Sequence, residues 1–254
     1  MRLMRLLVLT LLLALVIIPP PGIARTRTSL TFGGATSDTV NCGTGSVFDN
    51  LTDFTVYAWV TVTTATTNRC IVGNFRGAVD AGWEFSSSGT TGNLTLSQGG
   101  TTYLTYITSS TPVGSLNTWF FVAASATFGT AGHIYHGSLT TEVAEETYST
   151  STNGAGRNDD SARSVNIGNK DNATPANAWV GSIAVVGVVN RSLTLAELQS
   201  LQFHPRVISG TILFTWVGFN GTGTQPDLSG NGNNGTVTGT TVSDNAPLGI
   251  PFSR

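Results

Sequence analysis

The sequence of 254 residues predicts an all-β protein, a sandwich or barrel of many short antiparallel strands with one short helix in the C-terminal half. Three observations carry this. Segments rich in β-branched and aromatic residues recur, with apolar side chains mostly at every second position. Clusters of Gly, Ser, Thr and Asn separate them. A helical period appears in one stretch only. Composition agrees: 30 glycines and 40 threonines accompany a hydrophobic share of 40%, which suffices for a core and argues against global disorder.

From the N-terminus, Arg2 and Arg5 precede Leu6 to Ile18, an apolar run broken only by Thr10. The run is short for a membrane span, which needs about 20 residues, and fits the apolar core of an export signal. Pro19-Pro20-Pro21 stops any helix, and Gly22-Ile23-Ala24 offers small residues for cleavage after Ala24. The expectation is a signal peptide at 1–24 and one domain over 25–254, in a secreted or cell-surface protein with no membrane contact after cleavage. A retained N-terminal anchor is the alternative.

Strands are expected at Thr55 to Val62, Asn93 to Leu96, Tyr103 to Ile107, Trp119 to Ala123, His133 to Tyr135, Ser164 to Ile167, Ile183 to Val189 and Ile212 to Val217. Ser86 to Gly92 and Ser149 to Gly156 read as separators. Ser192 to Leu201 reads as the helix. Thr194 and Glu197 have capping-box spacing, and Leu195, Leu198 and Leu201 are expected on one buried face. In the final strand, Ile212, Phe214 and Trp216 are expected to face inward, with Thr211 and Thr215 outward. Asp227 to Gly235 is expected as a compact loop beside it.

The order of segments carries a resemblance. Ser29-Leu30-Thr31-Phe32-Gly33-Gly34, Asp38-Thr39-Val40 and Phe54 to Val60 resemble the opening of the laminin-G-like family of concanavalin A-like jelly rolls. Asn117 to Ala123, Ile134-Tyr135-His136-Gly137, Ile167-Gly168, Trp179 to Val186 and Asn190 to Glu197 are similar to its later segments in order. The resemblance implies an antiparallel two-sheet jelly-roll sandwich, and calcium at a sandwich rim in many members. Two departures stand out. Ala184 replaces the Asp usual there, and the Asp227 to Thr236 loop follows the helix although it often comes early. The C-terminal segment, 205–254, is therefore expected to return to the same sandwich and add strands at its edge.

Charged residues make up 10% of the chain, against about 25% in an average soluble protein, and the net charge is −2. That excludes a basic nucleic-acid binder and a polybasic membrane-surface protein. In an exported chain Cys42 and Cys70 form the one possible disulfide, with two buried thiols as the alternative. Two cysteines and three scattered histidines exclude a Cys₄ zinc site and speak against a histidine-based metal centre. Six Asn-x-Ser/Thr sequons begin at Asn50, Asn93, Asn172, Asn190, Asn220 and Asn234.

No E-x-D-x-x-E strand of a glucanase is present, Glu84 is a lone acid, and Glu142 to Glu146 reads as a solvated loop, so the protein is not expected to be an enzyme. Calcium is a candidate cofactor, with Asp159, Asp160, Asp171, Asp227 and Asn231 as candidate ligands; turn chemistry is the competing explanation. For sugar binding, Trp83 and Tyr103 are the candidate groove aromatics, while Trp59, Trp119 and Trp179 are expected in the core. His136 is expected at a solvated hairpin turn. The expected function is a non-catalytic recognition or adhesion module whose partner is a glycan or an extracellular or cell-surface protein. The alternative is a self-assembling structural subunit of a filament, sheath, surface layer or virion.

Overall fold

A computed structural model describes residues 28–64, 69–75, 81–88, 92–101, 105–112, 114–128, 130, 132–153, 156, 158–170, 177–216, 221–243 and 246–247. Strands β1 (Ser29–Gly33), β2 (Thr39–Asn41), β3 (Asp53–Val60), β4 (Arg69–Gly73), β5 (Trp83–Ser88) and β6 (Asn93–Gln98) come first. Then follow β7 (Thr105–Pro112), β8 (Phe120–Thr127), β9 (His133–Ser138), β10 (Ala144–Glu145), β11 (Tyr148–Thr152), β12 (Asn166–Ile167) and β13 (Val180–Val189). Helix α1 (Leu195–Phe203) precedes β14 (Thr211–Trp216), β15 (Gly223–Gln225), β16 (Gly235–Thr238) and β17 (Thr241–Ser243).

Among the described residues the strands form two antiparallel sheets. Sheet A runs β10-β9-β8-β3-β13-β1-β17, with β14 also paired to β13; sheet B runs β11-β7-β6-β5-β4-β12-β2-β16-β15. The main core lies between them. Leu30, Phe54, Val56, Val122, Val186 and Val188 from sheet A meet Ile71, Trp83, Phe85, Leu94 and Leu96 from sheet B. This is the two-sheet sandwich expected from alternation.

Sheet A is apolar on its other face as well. Tyr57, Trp59, Phe121, Val185 and Phe214 form a second cluster with Leu193, Leu198 and Leu201. Helix α1 covers this face. Its capping box is complete: the Thr194 side chain accepts from the Glu197 N–H, and the Glu197 carboxylate accepts from the Thr194 N–H at 2.9 Å. Arg191 clamps the same carboxylate at 2.7 and 3.1 Å, holding the Glu197 carboxyl far below its ordinary range, at about 2. The buried stripe is Leu198, Leu201 and Gln202, and Leu195 is 39% exposed, contrary to expectation. Gln202 takes its place at the centre. It donates to the Ser138 and Thr141 carbonyls and accepts from the Val143 N–H, so the helix grips the β9–β10 hairpin through a satisfied buried amide.

The segment after 205 supplies β14 and β17 to sheet A and β15 and β16 to sheet B. The first half of β13 pairs with β1 and the second half with β14 along the same edge. In β14 the inward pattern differs from expectation. The register shifts between Val188 and Val189, so Ile212 and Leu213 both enter the main core while Phe214 joins the cluster under the helix. Thr211 and Thr215 are buried too.

The cysteines are free, contrary to the expected bridge. They lie on β4 and just past β2, strands separated by β12. That is roughly 10 Å at the interstrand spacing, beyond the about 7 Å that a disulfide allows between α-carbons. Burial pushes the Cys42 thiol up to about 12, and burial with the nearby Glu84 raises Cys70 well above its ordinary value.

Two predictions follow from this packing. Both thiols should resist alkylation in the native protein and react without reductant on unfolding, as read by intact mass; a requirement for reductant would restore the bridge. Deleting everything after Pro205 removes Ile212, Leu213 and Phe214, whose burial is worth roughly 1.5–3 kcal/mol each, and uncovers the core they pack on. The truncated chain should aggregate or melt far earlier, and a monomer with unchanged melting temperature would contradict the account.

Candidate functional site

With α1 on the outer face of sheet A, the outward face of sheet B is, among the described residues, the large sheet surface without a helical cover. Its residues follow from the pleat. On β5, Trp83 and Phe85 point into the core, so Glu84 and Ser86 point outward. Cross-strand register then aligns Ser86 with Thr95 on β6, Thr95 with Thr108 on β7, and Thr108 with Thr150 on β11. The result is a straight rank of hydroxyls across four strands, spanning roughly 14 Å. The Thr95 and Thr108 hydroxyls bond to each other at 3.1 Å. One pleat repeat away, Glu84 aligns with Ser97, and Thr152 stands on β11 beyond. Ser86 and Thr95 are buried, whereas Ser97, Thr108, Thr150 and Thr152 are half-buried.

Glu84 closes one end of this surface. Its carboxylate is 2.8 Å from the ammonium of Lys170, the single lysine of the sequence, and that ammonium lies 5.3 Å from the Phe75 ring centroid. Burial raises the Glu84 carboxyl above its ordinary value, against the opposing pull of Lys170 and a hydrogen bond with Ser86. The pair is therefore an internally neutral unit in a largely desolvated setting.

The structure separates the other expected site residues. Trp83, expected in a groove, is 1% exposed and packs on Phe54 at a centroid distance of 5.2 Å. The pleat turned it inward and turned Glu84 out. Tyr103 and Asp171 lie outside the described residues. Trp59, Trp119 and Trp179 are buried as expected, with Trp179 Nε1 donating to the Thr61 carbonyl. His136 is not at a turn: it lies in β9, its ring 4.9 Å from Phe120 and its Nδ1 3.4 Å from Glu146. Within the stretch expected as a loop, Ala144–Glu145 forms β10, and Glu145 accepts from Tyr148 and pairs with His133.

The four candidate calcium ligands among the described residues, Asp159, Asp160, Asp227 and Asn231, do not form one set. Asp160 accepts from the Asn50 N–H at 2.6 Å and from the Asn74 amide, while Asp159 accepts from the Asn50 amide and from Ser161. Asp49 nearby has its carboxyl raised by its own burial and by Asp160 and Asp159. Asp227 and Asn231 sit in the loop on the free edge of β14. There Asp227 Oδ1 accepts from the Phe214 and Ser229 N–H groups, and Oδ2 accepts from the Ser229 hydroxyl and the Asn233 N–H. Four protein donors occupy the lone pairs of that carboxylate, which does not fit a calcium ligand. The Asn231 and Asn233 amides donate to the Thr211 and Ile212 carbonyls. Gly230 and Gly232, at φ +90° and +77°, make the tight path possible. Among the described residues, no three His, Cys, Asp or Glu side chains converge as a metal site would require.

Sequence reasoning missed the hydroxyl ranks because their ends lie in stretches read as separators. Ser86 belongs to β5, and Thr150 and Thr152 belong to β11. A signal was present in β6, where Thr95 and Ser97 alternate with Leu94 and Leu96, and threonine is β-branched, at home on a half-buried pleat.

The ion pair yields a stability prediction. Lys170→Met alone strands a buried carboxylate and should cost about 3–5 kcal/mol near neutral pH. Because burial already raises the Glu84 pKa, that loss should shrink as pH falls and the carboxyl takes up a proton, and Glu84→Gln with Lys170→Met should recover most of it. Denaturant titrations from pH 4 to 8 give the answer; equal destabilisation at every pH would contradict the assignment.

Comparison with known proteins agrees with this architecture. A candidate carbohydrate-binding protein of Bacteroides ovatus superposes with TM-score 0.60 at 17% identity, covering 89% of this chain; the chain spans 62% of that protein's length. A heptameric SAP-like pentraxin of Limulus polyphemus superposes with TM-score 0.50 at 14% identity, covering 70% of this chain and 82% of the pentraxin. No curated protein matches the sequence. A family model, described as the concanavalin A-like lectin/glucanases superfamily and of the laminin-G type, matches residues 32–199, most of the sandwich. The chain belongs to that superfamily.

Proposed function

We propose that the chain is an exported, non-catalytic recognition module that binds carbohydrate through the outward face of sheet B. The observation that carries this reading is the division of labour between the sheets. Helix α1 seals the outer face of sheet A against an apolar cluster, while the outward face of sheet B carries ordered hydroxyls and a neutralised ion pair. Hydroxyls donate and accept, which suits a sugar whose own surface is hydroxyl. The Bacteroides ovatus protein described as a carbohydrate binder shares the fold and supports this choice of ligand class.

The non-catalytic part rests on the chemistry of β5. Retaining glycoside hydrolysis uses two carboxyls about 5–5.5 Å apart. Glu84 instead has an ammonium as its near partner, and the residues two and four places along the strand are Ser86 and Ser88. Export rests on the apolar N-terminal segment. No helix among the described residues is long and apolar enough to cross a membrane.

A glycan array probed with the purified protein, with and without chelator, tests the proposal. Binding to at least one glycan class that survives chelation is expected. Silence across the array, together with self-assembly through contacts burying well over about 1,000 Å², would favour a structural subunit instead.

A further inference from the structure

The outward face of sheet B also indicates which sugars it takes. Two features bear on this. The first is geometry. Thr108 and Thr150 continue one rank, and Ser97 and Thr152 stand on the next, so four half-buried hydroxyls spread over β6, β7 and β11. Thr108 and Thr150 are about 4.8 Å apart across the strands, Ser97 and Thr152 roughly 10 Å apart with the Tyr106 position of β7 between them, and the two ranks lie about 7 Å apart along the strands. One sugar ring cannot reach them all; a chain lying across the strands can. Thr95 holds the Thr108 hydroxyl at 3.1 Å, and Thr108 retains hydrogen-bonding capacity after that contact.

The second feature is charge. The one anion on these ranks, Glu84, is paired with Lys170 at 2.8 Å, and none of the four hydroxyl positions is cationic. A sialylated, sulfated or uronic-acid glycan would surrender hydration of its anion and meet no basic side chain on the ranks. A neutral chain has no such cost.

We infer that the outward face of sheet B binds a neutral glycan chain laid across β6, β7 and β11, rather than a single sugar or an acidic glycan. The inference rests on the carbohydrate-binding reading above and makes it specific in charge, length and place. Thr108, Thr150, Thr152 and Ser97 are the contact residues, and Thr95 is a positioning residue acting through Thr108.

Isothermal titration with neutral linear oligosaccharides of increasing length, and with acidic counterparts, tests it. Affinity should rise with chain length over the first three or four sugars and then level off, with acidic chains about tenfold weaker or worse. Thr108→Val with Thr150→Val should weaken neutral binding about tenfold while leaving the melting temperature unchanged. If the valine pair lowers the melting temperature, Ser97→Ala supplies the same test by removing a single hydroxyl. Preference for acidic glycans, affinity independent of length, or binding indifferent to these substitutions would overturn the inference and leave carbohydrate binding intact. Absence of binding to every glycan would overturn the functional reading as well.

Discussion

Sheet A must be buried on both faces, and the rest of the molecule is arranged around that requirement. Strand β13 has buried residues along nearly its whole length, feeding the main core from Ile183, Val186 and Val188 and the second cluster from Val185 and Val189. An antiparallel strand with one solvated face would alternate; this one reads as a nearly continuous apolar run. Something other than sheet B must cover its second face, and α1 does so. The helix is short, so it relies on its capping box, the Arg191 clamp and Gln202 to stay in place. The free edge beside the second half of β13 is then taken by β14, whose own open edge is fastened by the Asp227 loop. Because sheet A is enclosed in this way, sheet B presents the polar sheet face.

Much of this was legible in the sequence. Alternation located β3, β8 and β13, the Thr194–Glu197 spacing located the start of the helix, and alternation over Ile212 to Val217 announced a strand that returns to the sandwich. The failures have a common cause: alternation names a face only after register is known. Trp83 and Glu84 are neighbours, and the pleat alone decides that the aromatic goes inward and the acid outward. In β14 a register shift put the neighbours Ile212 and Leu213 on the same side of sheet A, which periodicity within the strand does not reveal. Serine- and threonine-rich stretches were read as separators, although paired half-buried strands use the same residues.

The acidic loops teach a related lesson. Asp, Asn and Gly supply both calcium ligands and turns, and composition does not distinguish the two. Hydrogen-bond accounting does. At Asp227 four donors from the surrounding turn and β14 take the carboxylate, so the loop is an internal fastening of the sheet edge. The two thiols follow the same logic: the composition allows a bridge, while their strands are one strand too far apart to form it.

The central claim is that the functional surface is the outward face of sheet B and not the loop-bearing rim. Amide hydrogen exchange with and without a saturating neutral oligosaccharide addresses it most directly. The account predicts slowed exchange confined to 93–98, 105–112 and 148–152, with the 43–50, 158–165 and 226–234 loops unchanged. Protection limited to those loops, with the sheet B strands unaffected, would contradict it.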